Sequence, residues 1–164
     1  MLIRRELPGD VAAIRDVVLR AFPTPMEADL VDELRVDPGW IPALSMVAEI
    51  DGEVVGHVVC TRAHIDDTPA LGLGPLSVRP DRQRQGVGLA LVHAMLGAAD
   101  ALGEPVVVLL GNPAYYCRYG FRTASDLGII SPDPQWGEHF QVRVLTSYTG
   151  QKGQFAYAEP FNRL

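Results

Sequence analysis

The chain reads as a mixed α/β domain of the α+β kind, with about six to seven strands and about four helices around one mostly antiparallel sheet. Three features point there. Helical periodicity runs from Val11 to Arg35, and turn-punctuated strands follow from Met46 to Val78. A strand–helix–strand run from Ala70 to Leu110 then calls for a right-handed parallel crossover. The 164 residues, 48% hydrophobic and 21% charged, suit one domain over 1–164 that buries a core without metal or disulfide staples.

In chain order, Leu2, Ile3 and Leu7 make a first strand, and Pro8-Gly9-Asp10 ends it with Asp10 as the expected helix N-cap. Ile14, Val17, Val18 and Ala21 recur at helical spacing, and Pro23 and Pro25 stop that helix. Ala28, Leu30, Val31 and Leu34 mark a second, set among Glu27, Asp29, Asp32, Glu33 and Arg35 and ended by Asp37-Pro38-Gly39. Met46 to Ile50 is a strand, Asp51-Gly52 a hairpin turn, and Glu53 to Ile65 a longer strand. After Asp66-Asp67-Thr68-Pro69, the extended segment Ala70 to Val78 is broken by Gly72, Gly74 and Pro75, residues that weaken pairing and mark bulges.

Val87 to Leu102 is the strongest helix, with Val87, Leu91, Met95, Ala98 and Leu102 on one face widened by Leu89, Val92 and Leu96. Gly103 caps it, and Val106 to Leu110 suits a strand covered on both sides. Asn112-Pro113 reads as N-cap plus first helical residue of a helix of barely two turns, closed by Gly120. Thr123 to His139 shows little periodicity and reads as a long loop. Phe140 to Leu145 and Gln154 to Ala158 are two closing strands.

The net charge of −6 speaks against nucleic acid or an anionic membrane surface as partner and agrees with a cationic substrate. Cys60 and Cys117 are too few for a disulfide framework or zinc site and read as buried free thiols of a reducing compartment. No apolar run follows Arg4 and Arg5, so a soluble, cytoplasmic protein is expected.

The chemistry concentrates after Val78. Arg79, Arg82 and Arg84 with Asp81 give a local charge of +2, and Gln83, Gln85, Gly86 and Gly88 complete a turn that feeds a helix start. Backbone donors, positive charge and an open helix N-terminus make an anion site, and a diphosphate would satisfy several donors at once. Leu91 stands where a dinucleotide fingerprint needs its third glycine, and Leu89-Ala90 stand where a P-loop needs Lys and Ser or Thr. On spacing alone, a solvated surface turn fits these arginines as well as an anion cradle does.

The pattern Gln83-x-x-Gly86-x-Gly88, preceded by Leu76-Ser77-Val78-x-Pro80, resembles the acetyl-CoA signature of the Gcn5-related N-acetyltransferase (GNAT) superfamily. Asn112-Pro113-Ala114-Tyr115-Tyr116-Cys117-Arg118-Tyr119-Gly120-Phe121 resembles its second motif, and the chain is similar to a bacterial subfamily sharing LGPLxV and AYYxRxGF runs. The resemblance implies the GNAT fold, its sheet splayed between the fourth and fifth strands. It also implies an acyltransferase moving an acetyl group from acetyl-CoA to a primary amine by direct attack in a ternary complex, with no metal. Pantetheine would lie on Leu76, Ser77 and Val78, and the diphosphate on the amides of Gln83, Arg84, Gln85, Gly86, Val87, Gly88 and Leu89, with Arg82 or Arg84 beside it. Asn112 would approach the pantetheine and Tyr116 the sulfur. A homodimer is compatible with the resemblance.

An alkylammonium with pKa ~10.4 is only about one part in 10³ deprotonated at neutral pH, and a leaving thiolate needs a proton. Tyr115 and Tyr119 lie four apart and read as packing, whereas Tyr116 points about 100° away and is the expected acid. Relatives that carry a glutamate on the fourth strand have no counterpart between Ala70 and Val78. His57, His64, Glu49 and Glu138 remain as candidate bases beside a water chain. The rival readings are transfer of another acyl group or transfer to a hydroxyl, and a non-catalytic acyl-CoA- or partner-binding module of the same fold.

Overall fold

A computed structural model describes residues 1–164 and gives nine strands and four α-helices. In order they are β1 (Leu2–Arg5), α1 (Val11–Ala21), α2 (Met26–Arg35), β2 (Trp40–Ile50), β3 (Glu53–Ile65), β4 (Thr68–Val78), α3 (Val87–Ala101), β5 (Val106–Leu110), α4 (Pro113–Tyr116), β6 (Arg122–Thr123), β7 (Ile129–Ile130), β8 (Phe140–Val144) and β9 (Gly153–Ala156). The sheet runs β1-β2-β3-β4-β5-β8-β6, with β9 paired to the end of β3 and to β7. Every main-path pairing is antiparallel except β4–β5, the parallel pair that the α3 crossover imposes.

The helices take opposite faces. Ile14, Val18, Ala28 and Val31 of α1 and α2 pack on Val47 of β2, while Val87, Leu91, Val92, Met95, Leu96 and Ala99 of α3 pack on Val55, Val58, Cys60 and Leu71. Fully burying a Val or Leu side chain contributes ~1.5–3 kcal/mol, so the α3 stripe is a principal anchor of the domain. That stripe is rotated from the expected one: Leu89 and Leu102 are exposed, because Leu89 lies about 200° round the helix from Val87 and Leu102 is the C-cap just past the helix end.

Two sheet features position the site. The β4–β5 ladder holds only at Leu71–Val107 and Gly72–Val108, and beyond Gly72 the two strands part. On its other edge β4 stays paired to β3, but three residue steps from Leu73 to Leu76 match two from Cys60 to Val58. That β-bulge at Gly74-Pro75 keeps Leu73 and Leu76 both on the α3 face.

Several boundaries move. β2 starts at Trp40, not Met46, because a large register shift between Trp40 and Ser45 accommodates Pro42, which lacks a ladder donor. Asp10 stands at the N-cap of α1 but makes no cap bond; its carboxylate accepts from Leu7 N at 2.7 Å and pairs with Arg4. The Thr123–His139 stretch is not structureless. It holds β7 and two 3-10 turns, Ala124–Leu127 and Pro134–His139, and β7 finds its partner at Gly153–Gln154. Cys60 is buried as expected but Cys117 is exposed, since its turn lies on the outer side of α4. No helix is long and apolar enough to cross a membrane.

Candidate functional site

The parting of β4 from β5 leaves one edge of β4 open from Leu73 onward. Arg79 N donates to Val55 O at 2.8 Å, so strand alternation turns the backbone groups of Ser77 toward β3 and those of Leu76 and Val78 toward the open edge. The Ser77 hydroxyl is buried on the opposite face without a hydrogen-bond partner. Val78 O accepts from Gln83 Nε2 at 3.1 Å, which ties the following turn back to the strand.

That turn is built for close backbone approach. A 3-10 turn at Pro80–Arg82 is followed by Arg84 at φ +61° and Gly86 at φ +85°, the left-handed region that glycine adopts freely. Gly86 is the N-cap of α3, and Ala90 N donates to Gly86 O. Amides from Arg84 through Leu89 donate to no carbonyl or side chain of the protein, so consecutive donors face outward at the positive end of α3. Val87 buries its side chain in the core and Leu89 exposes its own, while the amides of both join this row. Gln85 fixes the turn through Nε2 to Asp81 O at 3.1 Å.

The three arginines are not equivalent. Arg79 is held by Asp81 at 2.7 Å and Glu53 at 3.2 Å, and these bonds raise its already high pKa further. Arg82 and Arg84 have no ionic partner, and Arg82 Nε is buried without a hydrogen bond. The free positive charge of the turn therefore sits on Arg82 and Arg84. An anion with several acceptor oxygens fits this donor set.

The second half of the site is the tyrosine turn. Asn112 caps α4 as expected, its Oδ1 accepting from Ala114 N at 2.9 Å, and Pro113 fills the first helical position. A 3-10 turn at Cys117–Tyr119 follows, and Gly120 at φ +82° ends it. Tyr119 Oη donates to Tyr115 Oη at 2.7 Å with ring centroids 5.5 Å apart, so these two pack together. Tyr115 also turns its hydroxyl toward Gly88, where a β-carbon would stand 3.0 Å from it. That second position of Tyr115 follows from the approach of α4 to α3, which sequence spacing does not encode.

Two cavities meet here. A cleft of about 240 Å³ lies between Leu76, Val78, Gln83, Arg84, Gly88 and Tyr115. A chamber of about 580 Å³ lies beyond, with Leu73, Leu76 and Tyr116 at the β4–β5 gap. Leu76 lines both, and Tyr115 and Tyr116 stand edge to face at 4.8 Å, one in each cavity. Burial, with the neighbouring Tyr115 adding to it, pushes the Tyr116 phenol up to about 12, so it stays protonated through the neutral range. Asn112 lines neither cavity; its side-chain oxygen serves its own helix.

None of the four candidate bases lines the chamber. His57 is fully buried on the face opposite α3, beside Ser45 at 2.8 Å. Ser45 Oγ donates to Glu6 at 2.8 Å, so His57 Nε2 must donate to Ser45. Burial lowers the His57 pKa against the pull of Glu6, and the ring stays neutral. Glu49 lies 3.6 Å from Arg4, while His64 and Glu138 are exposed. The chamber carboxylates are instead Glu27 of α2 and Asp133. Glu27 was one of five charged residues on an amphipathic helix, and only the packing of α2 against the C-terminal segment singles it out.

The chain is similar to known proteins in sequence and fold. The profile of the acetyltransferase (GNAT) domain family matches residues 42–123. Escherichia coli K12 N-acetyltransferase YjhQ is 39% identical over 148 residues, spanning 87% of this chain and 82% of its own. Escherichia coli K12 N-acetyltransferase YhbS is 34% identical over 167 residues, 99% of each chain. The crystal structure of Escherichia coli YhbS in complex with CoA superposes with a TM-score of 0.91 at 34% identity, covering 99% of this chain and 92% of that one. A GNAT family acetyltransferase from Brucella melitensis in complex with acetyl-CoA gives 0.80 at 33% identity, covering 98% and 97%.

Proposed function

The chain belongs to the GNAT family of N-acetyltransferases, and from that footing we propose that it moves an acetyl group from acetyl-CoA to a primary amine by direct attack in a ternary complex. The observation that carries this reading is the junction at Leu76. A cleft bordered by outward amides and a free arginine opens there onto a chamber containing a protonated tyrosine.

Acetyl-CoA supplies the thioester. The amides from Arg84 to Leu89, with Arg82 and Arg84, hold its diphosphate at the N-terminus of α3. The open edge at Leu76 and Val78 offers backbone groups to the amides of the pantetheine arm, as an added strand would use them. Gly88 keeps the cleft free of a side chain opposite Tyr115.

The amine enters from the chamber as its ammonium ion, gives one proton to solvent water there, and attacks the acyl carbonyl as the free base. As the carbon–nitrogen bond forms and the carbon–sulfur bond breaks, Tyr116 gives its hydroxyl proton to the leaving sulfur. The tyrosinate regains a proton from the nitrogen as the amide forms, so the protein ends unchanged. Tyr116 at about 12 is a weaker acid than a free thiol near 8.5, so proton transfer from it to the sulfur is uphill alone and is drawn forward by the simultaneous return of a proton from the nitrogen to the phenolate oxygen.

The test follows thiol release from acetyl-CoA with a panel of polyamines, amino acids, lysine peptides and arylalkylamines. Turnover with at least one amine, and none with the matched alcohols, is expected. Tight CoA binding with no turnover on any amine contradicts the proposal and favours a binding module.

A further inference from the structure

The chamber itself names the kind of amine. Its surroundings are mostly apolar, with Trp136, Tyr157 and Phe161 forming one aromatic wall and Phe22 lying on the α1 side. Tyr157 stacks on Phe161 at 4.5 Å and meets Trp136 edge-on at 6.4 Å, so the wall is a continuous, fixed surface. Against it stand two carboxylates. Asp133 uses Oδ1 to cap its own turn, accepting from Gln135 N at 2.9 Å.

Glu27 is different. Its Oε2 atom is buried and accepts no hydrogen bond, and no arginine, lysine or histidine pairs with the side chain. A shielded carboxylate oxygen without a donor is unfavourable until a counter-charge arrives. An ammonium group supplies both the charge and the donors, and aromatic faces attract the same cation while covering hydrocarbon.

We infer that the acceptor is a small arylalkylamine, bound as its ammonium ion with Glu27 as counter-charge and its ring on the Trp136–Tyr157–Phe161 wall. This rests on the N-acetyltransferase reading above and adds the substrate class. Glu27 is then a specificity-determining residue: it selects a cation and rejects neutral or anionic molecules of the same shape. The chamber volume, about 580 Å³, is in the range of small-molecule sites.

The test reads binding and turnover separately on the full-length protein saturated with CoA. Trp136 fluorescence, with Trp136→Phe as the control that removes the signal, reports binding of 2-phenylethylamine, 2-phenylethanol and 3-phenylpropanoate. The amine is expected to bind about tenfold or more tightly than the alcohol, with the acid weaker still. Glu27→Gln should erase the preference for the amine, leave CoA affinity unchanged and not lower Tm. Equal binding of amine and alcohol to the unmodified protein, which needs no variant, overturns the assignment, as does a preference that survives Glu27→Gln. If 2-phenylethylamine binds through Glu27 and no amine of the panel releases thiol, the chamber's preference for an arylalkylammonium stands and the transfer reading fails; if other amines release thiol and 2-phenylethylamine does not, transfer stands and the acceptor assignment fails. If lysine peptides are acetylated while 2-phenylethylamine does not bind, transfer stands and the assignment fails.

Discussion

The ring of Tyr116 lies directly over Gly111: a β-carbon at Gly111 would stand 2.5 Å from Cε2 and 2.9 Å from Cδ2 of that ring. Gly111 follows the last residue of β5, and its amide donates to His139 O at 2.9 Å, so its backbone is pinned. The tyrosine is thus seated on a fixed strand end, with Phe121 edge-on at 5.7 Å on another side. The absence of a side chain at one residue sets the position of the hydroxyl assigned as acid.

Gly111→Ala is therefore expected to displace the Tyr116 ring. Its kcat should fall about tenfold or more, toward that of Tyr116→Phe, with a much smaller effect on acetyl-CoA affinity. In the double variant the second change should add little, because both remove the same positioned hydroxyl. Fully additive losses in steady-state kinetics would separate the two residues.

Gly88→Val tests the cleft. The new side chain would enter between Val78 Cγ2 at 3.8 Å and the Tyr115 hydroxyl at 3.0 Å. Calorimetric titration should show CoA affinity weakened about tenfold or more, ~1.4 kcal/mol, with Tm little changed at this half-exposed position. Unchanged CoA affinity would take the donor out of this cleft.

Acid stability should report on Glu6. Burial alone would raise its pKa, but His57, Arg35 and Ser45 outweigh burial and hold it at about 2 against an ordinary 4.5. Because the folded-state value is the lower one, the stabilisation is complete above pH 4.5 and is lost as pH falls from 4.5 toward 2. Its size is ~3 kcal/mol, taking ~1.36 kcal/mol per pKa unit. Urea unfolding of Glu6→Gln should show a shallower loss of stability across that window, while the similarly lowered Asp10, paired with Arg4, still contributes its share.

The two thiols should behave oppositely. Burial pushes the Cys60 thiol far up and closes it to reagents, whereas Cys117 is exposed on the turn after α4. A disulfide-exchange reagent should modify Cys117 in the native protein and Cys60 only after denaturation. Rapid native modification of Cys60 would mean that the α3 face of the sheet opens readily.

What could be read from the residues was whatever local chemistry dictates. The α3 helix, its Gly103 terminator, the Asn112-Pro113 cap and the hairpin at Asp51-Gly52 all follow from nearest-neighbour rules, and so does the disturbance of β4 at Gly74-Pro75. Features that depend on distant partners stayed hidden. Ile129-Ile130 becomes β7 only because Gly153-Gln154 lies alongside, and Trp40 joins β2 only through pairing with Thr61. Within the site, the backbone donors of the turn were legible from Gly86 and Gly88. Neutralisation of Arg79 by Glu53, the position of Tyr115 in the cleft and the isolation of Glu27 in the chamber are tertiary facts.

Tyr116→Phe tests the central claim most directly. The variant keeps the ring on Gly111 and removes only the hydroxyl. With the best amine acceptor at neutral pH, stopped-flow thiol release should slow about 100-fold or more, while acetyl-CoA affinity changes less than about threefold. Thiol release within about twofold of the unmodified protein would contradict Tyr116 as the proton donor and, with it, this account of the site.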